Sequence, residues 1–524
     1  MRRGATSLAA CGAALMLATG SPGAAAVATP SAKVILAVPE VIGPVPVTAT
    51  SHPFLDAKAA MEAAGYVEEE FFLRGRANVY DWAGATRDLK VVAGPGRYVT
   101  RILVRRPRDP ARFSGNVEVN ILNASNAIDA GAPMDARRMV QQGDVWIGIT
   151  TKALTAAALK RFDPQRYAPI DWSNPAPPAM RCAKPHTIST LLFGDDAAAL
   201  ANSSDASPET EDGLVWDMIG QLGLLLKSEQ RQKILPGFGK PWVYMDGTSQ
   251  SGEYMRTWMV GFHDRYRTPD GKPVYDGYLE IVGPLQIHIN QCAADVAFAD
   301  PRQKVIPAPD APYMVLYSEA ETWFGRYTRQ PDMLTPKGGI VTYQVAGGPH
   351  GRGEIPGVAP EQIGRPSAAD VAKASLPRPT GVMPAGLVRN DYPWAPVARG
   401  AYHNLQLWVR QGVMPPPGTL VELDSAGEVK RDQFGNAVGG VRLPYVEVPV
   451  AAYRGALSGG GFGSVMGSKT AFTPDQLKAL YPDHAAYVAK FTASTDRALA
   501  GRWISPEDAA AMKKAAEDAA VPPQ

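Results

Sequence analysis

The residues most able to do chemistry stand around Ser249, in the run Gly247-Thr248-Ser249-Gln250-Ser251-Gly252. Before it comes Trp242 to Met245, a short stretch of strand type, and after it a helix-length pattern from Gln250 to Phe262. A serine hydroxyl is a weak nucleophile until a neighbouring base takes its proton. A strand, a tight turn of small residues and a helix form the context in which such a serine is raised on a strained elbow. The turn requires small residues two positions to either side, and Gly247 and Ser251 meet that need. Ser251 as the nucleophile would place Ser249 and Glu253 at those offsets, and a glutamate would crowd the turn. Ser251 also departs from the strict GxSxG pattern. The six residues alone therefore suit an ordinary Gly/Ser turn, and it is the flanking strand and helix that favour catalysis.

In elbows of this kind the acid and the base follow the serine in chain order. Five histidines do so. His350, in Val345-Ala-Gly-Gly-Pro-His-Gly-Arg-Gly-Glu354, lies in a glycine-rich loop after the strand-like Val341 to Val345 and is the expected base. His263 belongs to the helix after the elbow, His403 to the amphipathic Ala401 to Val409, and His484 to the remote C-terminal region. His288 follows the strand-like Tyr278 to Val282; it is a distant second as base and a candidate pocket residue. For the acid, Tyr313 to Tyr317 runs into Ser318-Glu319-Ala320-Glu321, where Glu321 is preferred to Glu319; a solvated turn carboxylate is the plainer reading. Trp323, Phe324 and Tyr327 come next, as core aromatics or as contacts to substrate.

The elements that must position these residues alternate. Val117 to Leu122, Val145 to Thr150, Trp242 to Met245, Tyr278 to Val282, Tyr313 to Tyr317 and Val341 to Val345 read as central strands, and Tyr98 to Arg106 as a half-buried one. Met134 to Gln142, Gly213 to Ser228, Gln250 to Phe262 and Ala401 to Gln411 read as helices. This rhythm predicts an α/β fold with a mostly parallel sheet covered on both faces. Two stretches break it, Ala153 to Pro208 and Gly351 to Pro396, and read as insertions that could roof a pocket. From Val413 a C-terminal extension begins, turn-rich at first, then helical near Pro474 to Lys490 and Pro506 to Ala519.

The first 28 residues read as a signal peptide, with Arg2 and Arg3, an apolar run from Ser7 to Gly20 and a small-residue cleavage region, leaving residues 29–524 as the exported domain. The apolar run is too short for a membrane anchor. Leu8 to Cys11 imitates a lipoprotein box placed unusually early. Export leaves Cys182 and Cys292, expected to form one disulfide, with two buried thiols as the alternative. No Cys/His cluster has zinc spacing, and no metal or cofactor is expected. The chain carries 53 Lys and Arg against 51 Asp and Glu, a near balance that disfavours nucleic acid as a partner.

Several passages together resemble the bacterial proteins described as alpha/beta hydrolase domain-containing, whose elbow commonly reads GxSQSG. They include RILVRRPRDPARFSGNVEVNILNAS, QGDVWIGITTKA, GTSQSGEYMR, VYDGYLEIVG, SEAET, VAGGPH, LWVRQGVMPPP, RDQFGNAVGGVRLPYVEVPVA and GRWISPEDAA. They span nearly the whole exported chain in the right order. The resemblance implies the alpha/beta-hydrolase fold, an esterase-like hydrolase, and Ser249, Glu321 and His350 as nucleophile, acid and base; the triad chemistry in turn makes a small-molecule acyl compound the expected substrate. It also points to the loop after Val117 to Leu122. There Ala124 or Ser125 would supply a backbone N–H that joins that of Gln250 in holding an oxyanion. Asn123 and Ser125 as caps of the next turn are an equal reading. An amidase or peptidase with the same triad, and an inactive binding protein on this scaffold, remain as alternatives. Substrate identity and oligomeric state are not set by the sequence.

Overall fold

Strands rich in Val, Ile, Leu and Tyr on both faces belong in the middle of a sheet that is covered twice, and six of them form its parallel centre. The computed structural model describes residues 33–523, except 132–135, 184, 186–206, 285–287, 295, 358–362, 364, 376–385, 458–461 and the side chains of Phe324, Phe462 and Gly463. The expected signal peptide, residues 1–28, lies outside the described residues. The main sheet has the order β1-β2-β3-β5-β4-β6-β7-β8-β10-β9. Its strands are β1 Glu40–Ile42, β2 Tyr66–Trp82, β3 Leu89–Pro107, β4 Asn116–Ile121, β5 Val145–Ile149, β6 Trp242–Thr248, β7 Gly277–Ile281, β8 Pro312–Ser318, β9 Met333–Thr335 and β10 Gly338–Val345. Strands β5, β4, β6, β7, β8 and β10 pair in parallel, while β1, β2, β3 and β9 join antiparallel at the two margins.

Side chains alternate between two cores. Met245, Tyr278, Tyr313 and Val315 enter the larger one, while Tyr244, Leu279, Met314, Leu316 and Val341 enter the other. Helices α1 Lys58–Ala63, α2 Ala136–Gln142, α3 Ala153–Phe162, α4 Val215–Lys227 and α5 Gln250–Gly261 come first in the chain. Among them α3, α4 and α5 bury their apolar faces in the larger core. On the other face lies α8 Ala395–Gln411, preceded by α6 Thr322–Gly325 and α7 Ala368–Ala374. It is followed by α9 Pro444–Glu447, α10 Pro474–Leu480, α11 His484–Ala500 and α12 Pro506–Asp518. A three-stranded antiparallel sheet of β11 Val388–Arg389, β13 Ser468–Ala471 and β12 Ala451–Arg454 joins the stretch after His350 to the C-terminal extension.

The structure adds elements that the hydrophobic pattern hides. Strand β2 contains Glu68-Glu69-Glu70, which does not read as a strand, yet Glu68 and Glu70 are buried. The neighbouring strand supplies their counterions: Arg105 Nε meets Glu68 at 2.7 Å and Arg101 Nε meets Glu70 at 2.5 Å. Within 153–208 the first ten residues are α3, and six of them are buried, so the strand-helix rhythm continues there. The turn-rich stretch after Val413 also lies against the sheet, with bridges from Tyr343 to Thr419 and from Val345 to Val441.

Candidate active site

All the parallel strands end on one side, and the turns that follow β4, β6, β8 and β10 meet there. Ser249, the residue after β6, has φ 59° and ψ −128°, a left-handed conformation unusual for a side-chain-bearing residue. Its own N–H bonds to the Ile281 carbonyl at 2.8 Å. The small neighbours have a steric cause. A Cβ on Gly247 would lie 2.3 Å from the Ser251 carbonyl oxygen, and one on Gly252 would lie 3.1 Å from Gly283 Cα.

His350 Nε2 lies 2.8 Å from Ser249 Oγ, and His350 Nδ1 lies 2.6 Å from Glu321 Oε1. Serine, imidazole and carboxylate thus form one hydrogen-bonded line. With Nδ1 donating to the carboxylate, Nε2 is left as an acceptor for the serine proton. The second oxygen of Glu321 accepts from Ser318 N at 2.8 Å and Ser318 Oγ at 2.7 Å in a capping box at the end of β8, which fixes the rotamer. Glu319, two residues earlier, has a different task. Its oxygens accept from Gly347 N at 2.8 Å and Gly455 N at 3.0 Å and pair with Arg431 at 2.7 Å.

The loop carrying His350 is pinned by residues that the sequence did not single out. His350 N donates to Val465 O at 2.9 Å, and Trp394 Nε1 lies 2.9 Å from both the Pro349 and Gly351 carbonyls. Asn390 Nδ2 donates to Gly347 O and Arg454 O, each at 2.9 Å. The stretch 351–396 and the C-terminal extension therefore brace the histidine. Tryptophan and asparagine in a Pro-rich stretch were the one available signal, since a buried indole N–H must find an acceptor.

On the other side of Ser249, Gln250 opens α5, where helical geometry offers its N–H no partner within the helix. The two loop donors named from the sequence are both engaged. Ala124 N–H donates to Gln250 Oε1 at 3.2 Å and Ser125 N–H to Asn123 Oδ1 at 2.8 Å, while Asn123 Nδ2 donates to Thr248 O at 2.7 Å. The loop after β4 is thereby stitched to the elbow.

The other named residues make further contacts. Trp323 is 50 % exposed and stands edge-on to Phe298, ring centres 5.8 Å apart, in a surface group with Tyr327 and Arg326. The Phe324 side chain lies outside what is described. His288 is half-buried and acts electrostatically on Asp212. His263 is buried, 2.8 Å from Tyr278 Oη, and His484 binds backbone carbonyls of α12 and the chain end. Cys182 and Cys292 form a disulfide that ties the stretch 163–183 to the segment after β7. Among the described residues, no three or more His, Cys, Asp or Glu are grouped to hold a metal ion, and no helix is long and apolar enough to cross a membrane.

The chain is similar to several solved structures at low identity. A putative dienelactone hydrolase from Klebsiella pneumoniae subsp. pneumoniae is 10% identical over 49% of this chain and 79% of its own, with a TM-score of 0.20. The rice cell wall degrading esterase LipA from Xanthomonas oryzae is 10% identical over 48% of this chain and 50% of its own, with a TM-score of 0.21. Acetyl xylan esterase 1 from Thermoanaerobacterium sp. is 11% identical over 41% of this chain and 47% of its own, with a TM-score of 0.17. The chain thus spans about half the length of the last two. No curated protein matches. A family model described as an alpha/beta hydrolase domain matches residues 41–514, and the chain belongs to that family.

Proposed function

We propose that this chain is an exported serine hydrolase that cleaves carboxylic esters through an acyl-enzyme, with Ser249, His350 and Glu321 as its triad. The observation that carries this reading is the unbroken line from Ser249 Oγ to His350 Nε2 at 2.8 Å and from Nδ1 to Glu321 at 2.6 Å. His350 takes the Ser249 proton as Oγ attacks the ester carbonyl, then passes that proton to the departing alcohol as the C–O bond breaks. Water deprotonated by the same imidazole attacks the acyl-enzyme, the acid leaves, and the proton returns to Ser249. Glu321 holds the tautomer and stabilises the imidazolium. The Gln250 N–H and a donor from Ala124 or Ser125 hold the oxyanion once substrate replaces the internal acceptors; one such donor contributes about 3 kcal/mol to the transition state. The Cys182–Cys292 disulfide supports export, since such bonds persist in oxidising compartments.

The test is labelling with a fluorophosphonate probe followed by assay on p-nitrophenyl esters beside aminoacyl anilides. The expected result is an adduct at Ser249 and turnover of esters. An adduct with anilide turnover alone would replace the esterase reading by an amidase one, and folded protein without an adduct would leave a binding protein on a hydrolase scaffold.

A further inference from the structure

The passage Gln142-Gly-Asp-Val-Trp-Ile-Gly-Ile-Thr-Thr-Lys152 takes no part in the triad, yet its last residue arrives directly behind the elbow. Strand β4 lies between β5 and β6, so a side chain just past β5 must cross the end of β4 to reach the nucleophile turn. Lys152 does so. Its Nζ donates to the Leu122 carbonyl at 2.7 Å and to Ser251 Oγ at 3.3 Å, and it lies 4.3 Å from the centre of the Tyr254 ring. Leu122 immediately precedes the oxyanion loop, and Ser251 stands two residues beyond Ser249.

Lys152 is 0% exposed, and its partners are a carbonyl, a hydroxyl and an aromatic face. Desolvating an ammonium that pairs directly with no carboxylate is costly, and Asp129, Asp212 and Glu253 offset that cost only through space, so stability gives little reason to keep one there. Position does. We infer that Lys152 is a positioning residue of the acyl-transfer site, its buried ammonium tying the oxyanion loop to the nucleophile elbow and so setting the distance between the backbone donors and Ser249. This rests on the serine hydrolase reading above. It also explains why serine replaces the second elbow glycine: Ser251 is small enough for the turn and provides the acceptor that Lys152 uses.

The tie depends on charge, and the groups facing it are few. Asp129 comes from the loop after β4, Asp212 from the turn Asp212–Leu214, and Glu253 with Tyr254 from α5. Burial pulls the Lys152 ammonium down to about 7, against the opposing pull of Asp129, Asp212 and Glu253. Burial, with Glu280 adding to it, pushes Glu253 up to about 8. As pH rises past neutrality Lys152 loses its proton; the neutral amine is a weaker donor to Leu122 O and Ser251 Oγ, and the oxyanion loop loosens. The ester-hydrolysis rate should then fall on the alkaline side while substrate binding is unchanged.

The experiment begins with fluorophosphonate labelling of the wild type, whose failure would count against the hydrolase reading and not against this one. In the labelled protein, kcat and KM for a p-nitrophenyl ester are measured from about pH 6 to about pH 9 for wild type, Lys152→Met and Lys152→Gln, with thermal unfolding to establish that each variant is folded. The wild type is expected to lose kcat several-fold above neutrality. Lys152→Met should have kcat lowered about 10- to 100-fold near pH 6 with KM unchanged, and no alkaline decline. Lys152→Gln, with an uncharged donor, should be intermediate and equally flat. A folded Lys152→Met with wild-type kcat near pH 6, or with the alkaline decline intact, overturns the inference. Should neither variant fold, the wild type decides by itself: decline above neutrality supports the inference, and a flat kcat overturns it.

Discussion

The His350 loop and the loop after β4 flank Ser249 from opposite sides and are held by different means. The loop of His350 is gripped by several segments: Glu319 reaches Gly347, Trp394 brackets Pro349 and Gly351, and Val465 accepts from the His350 N–H. These contacts come from three separate segments: the end of β8, the stretch 351–396 and the C-terminal extension. The loop after β4 is held by a single segment, the elbow itself, through Asn123 to Thr248 and Ala124 to Gln250, bonds that span 125 and 126 positions of the chain. Proton transfer needs one ring at one angle, which bracing from several segments supplies. An oxyanion site has to exchange an internal acceptor for a substrate oxygen, and short, replaceable hydrogen bonds permit that exchange.

This contrast can be broken or sharpened by substitution. Ser249→Ala should abolish fluorophosphonate labelling and lower ester-hydrolysis kcat by about 10⁶-fold, the scale of removing a triad nucleophile. Glu321→Gln should lower kcat by about 10⁴-fold with little change in KM, because the imidazole loses the partner that fixes its tautomer. Glu319→Gln bears on the bracing directly. With the nearby glutamate of the triad intact, misplacing the His350 loop should lower kcat about 10²-fold and lower the melting temperature, since Arg431 loses its carboxylate. A Glu319→Gln enzyme with wild-type kcat would show that the base needs no such bracing.

On the oxyanion side the effects should be smaller. Gln250→Met retains the backbone donor and removes the acceptor now facing the Ala124 N–H; kcat should fall about tenfold with the melting temperature nearly unchanged. If it fell as far as in Glu319→Gln, the two halves would not differ in the manner described. Cys182→Ser with Cys292→Ser should leave kcat nearly intact. Removing a link across a sequence separation of 110 should lower unfolding stability by about 2–4 kcal/mol, measured in denaturant.

How much of this was legible beforehand depended on range. Ser249 could be proposed because an elbow is a local object: a strand, a turn of small residues and a helix lie within a few residues of one another. Glu321 and His350 could be named because each follows a strand with a clear β-rich pattern. Strand β2 was not legible, as three consecutive glutamates disguise it until the arginines of β3 are brought alongside. Lys152 has no role legible in the sequence, since nothing in the order of residues reveals that it will cross β4 to meet Ser251.

The sequence by itself determined the fold class and the chain order in which Ser249, Glu321 and His350 stand, because periodicity, small-residue turns and chain order are properties of neighbouring residues. Only the tertiary structure decided which of Glu319 and Glu321 faces the imidazole. It likewise showed which segments brace the base loop and where the loop N–H groups find acceptors. Those assignments turn on hydrogen-bond distances of about 3 Å between segments far apart in sequence, and such distances exist only once the sheet has set its strand order.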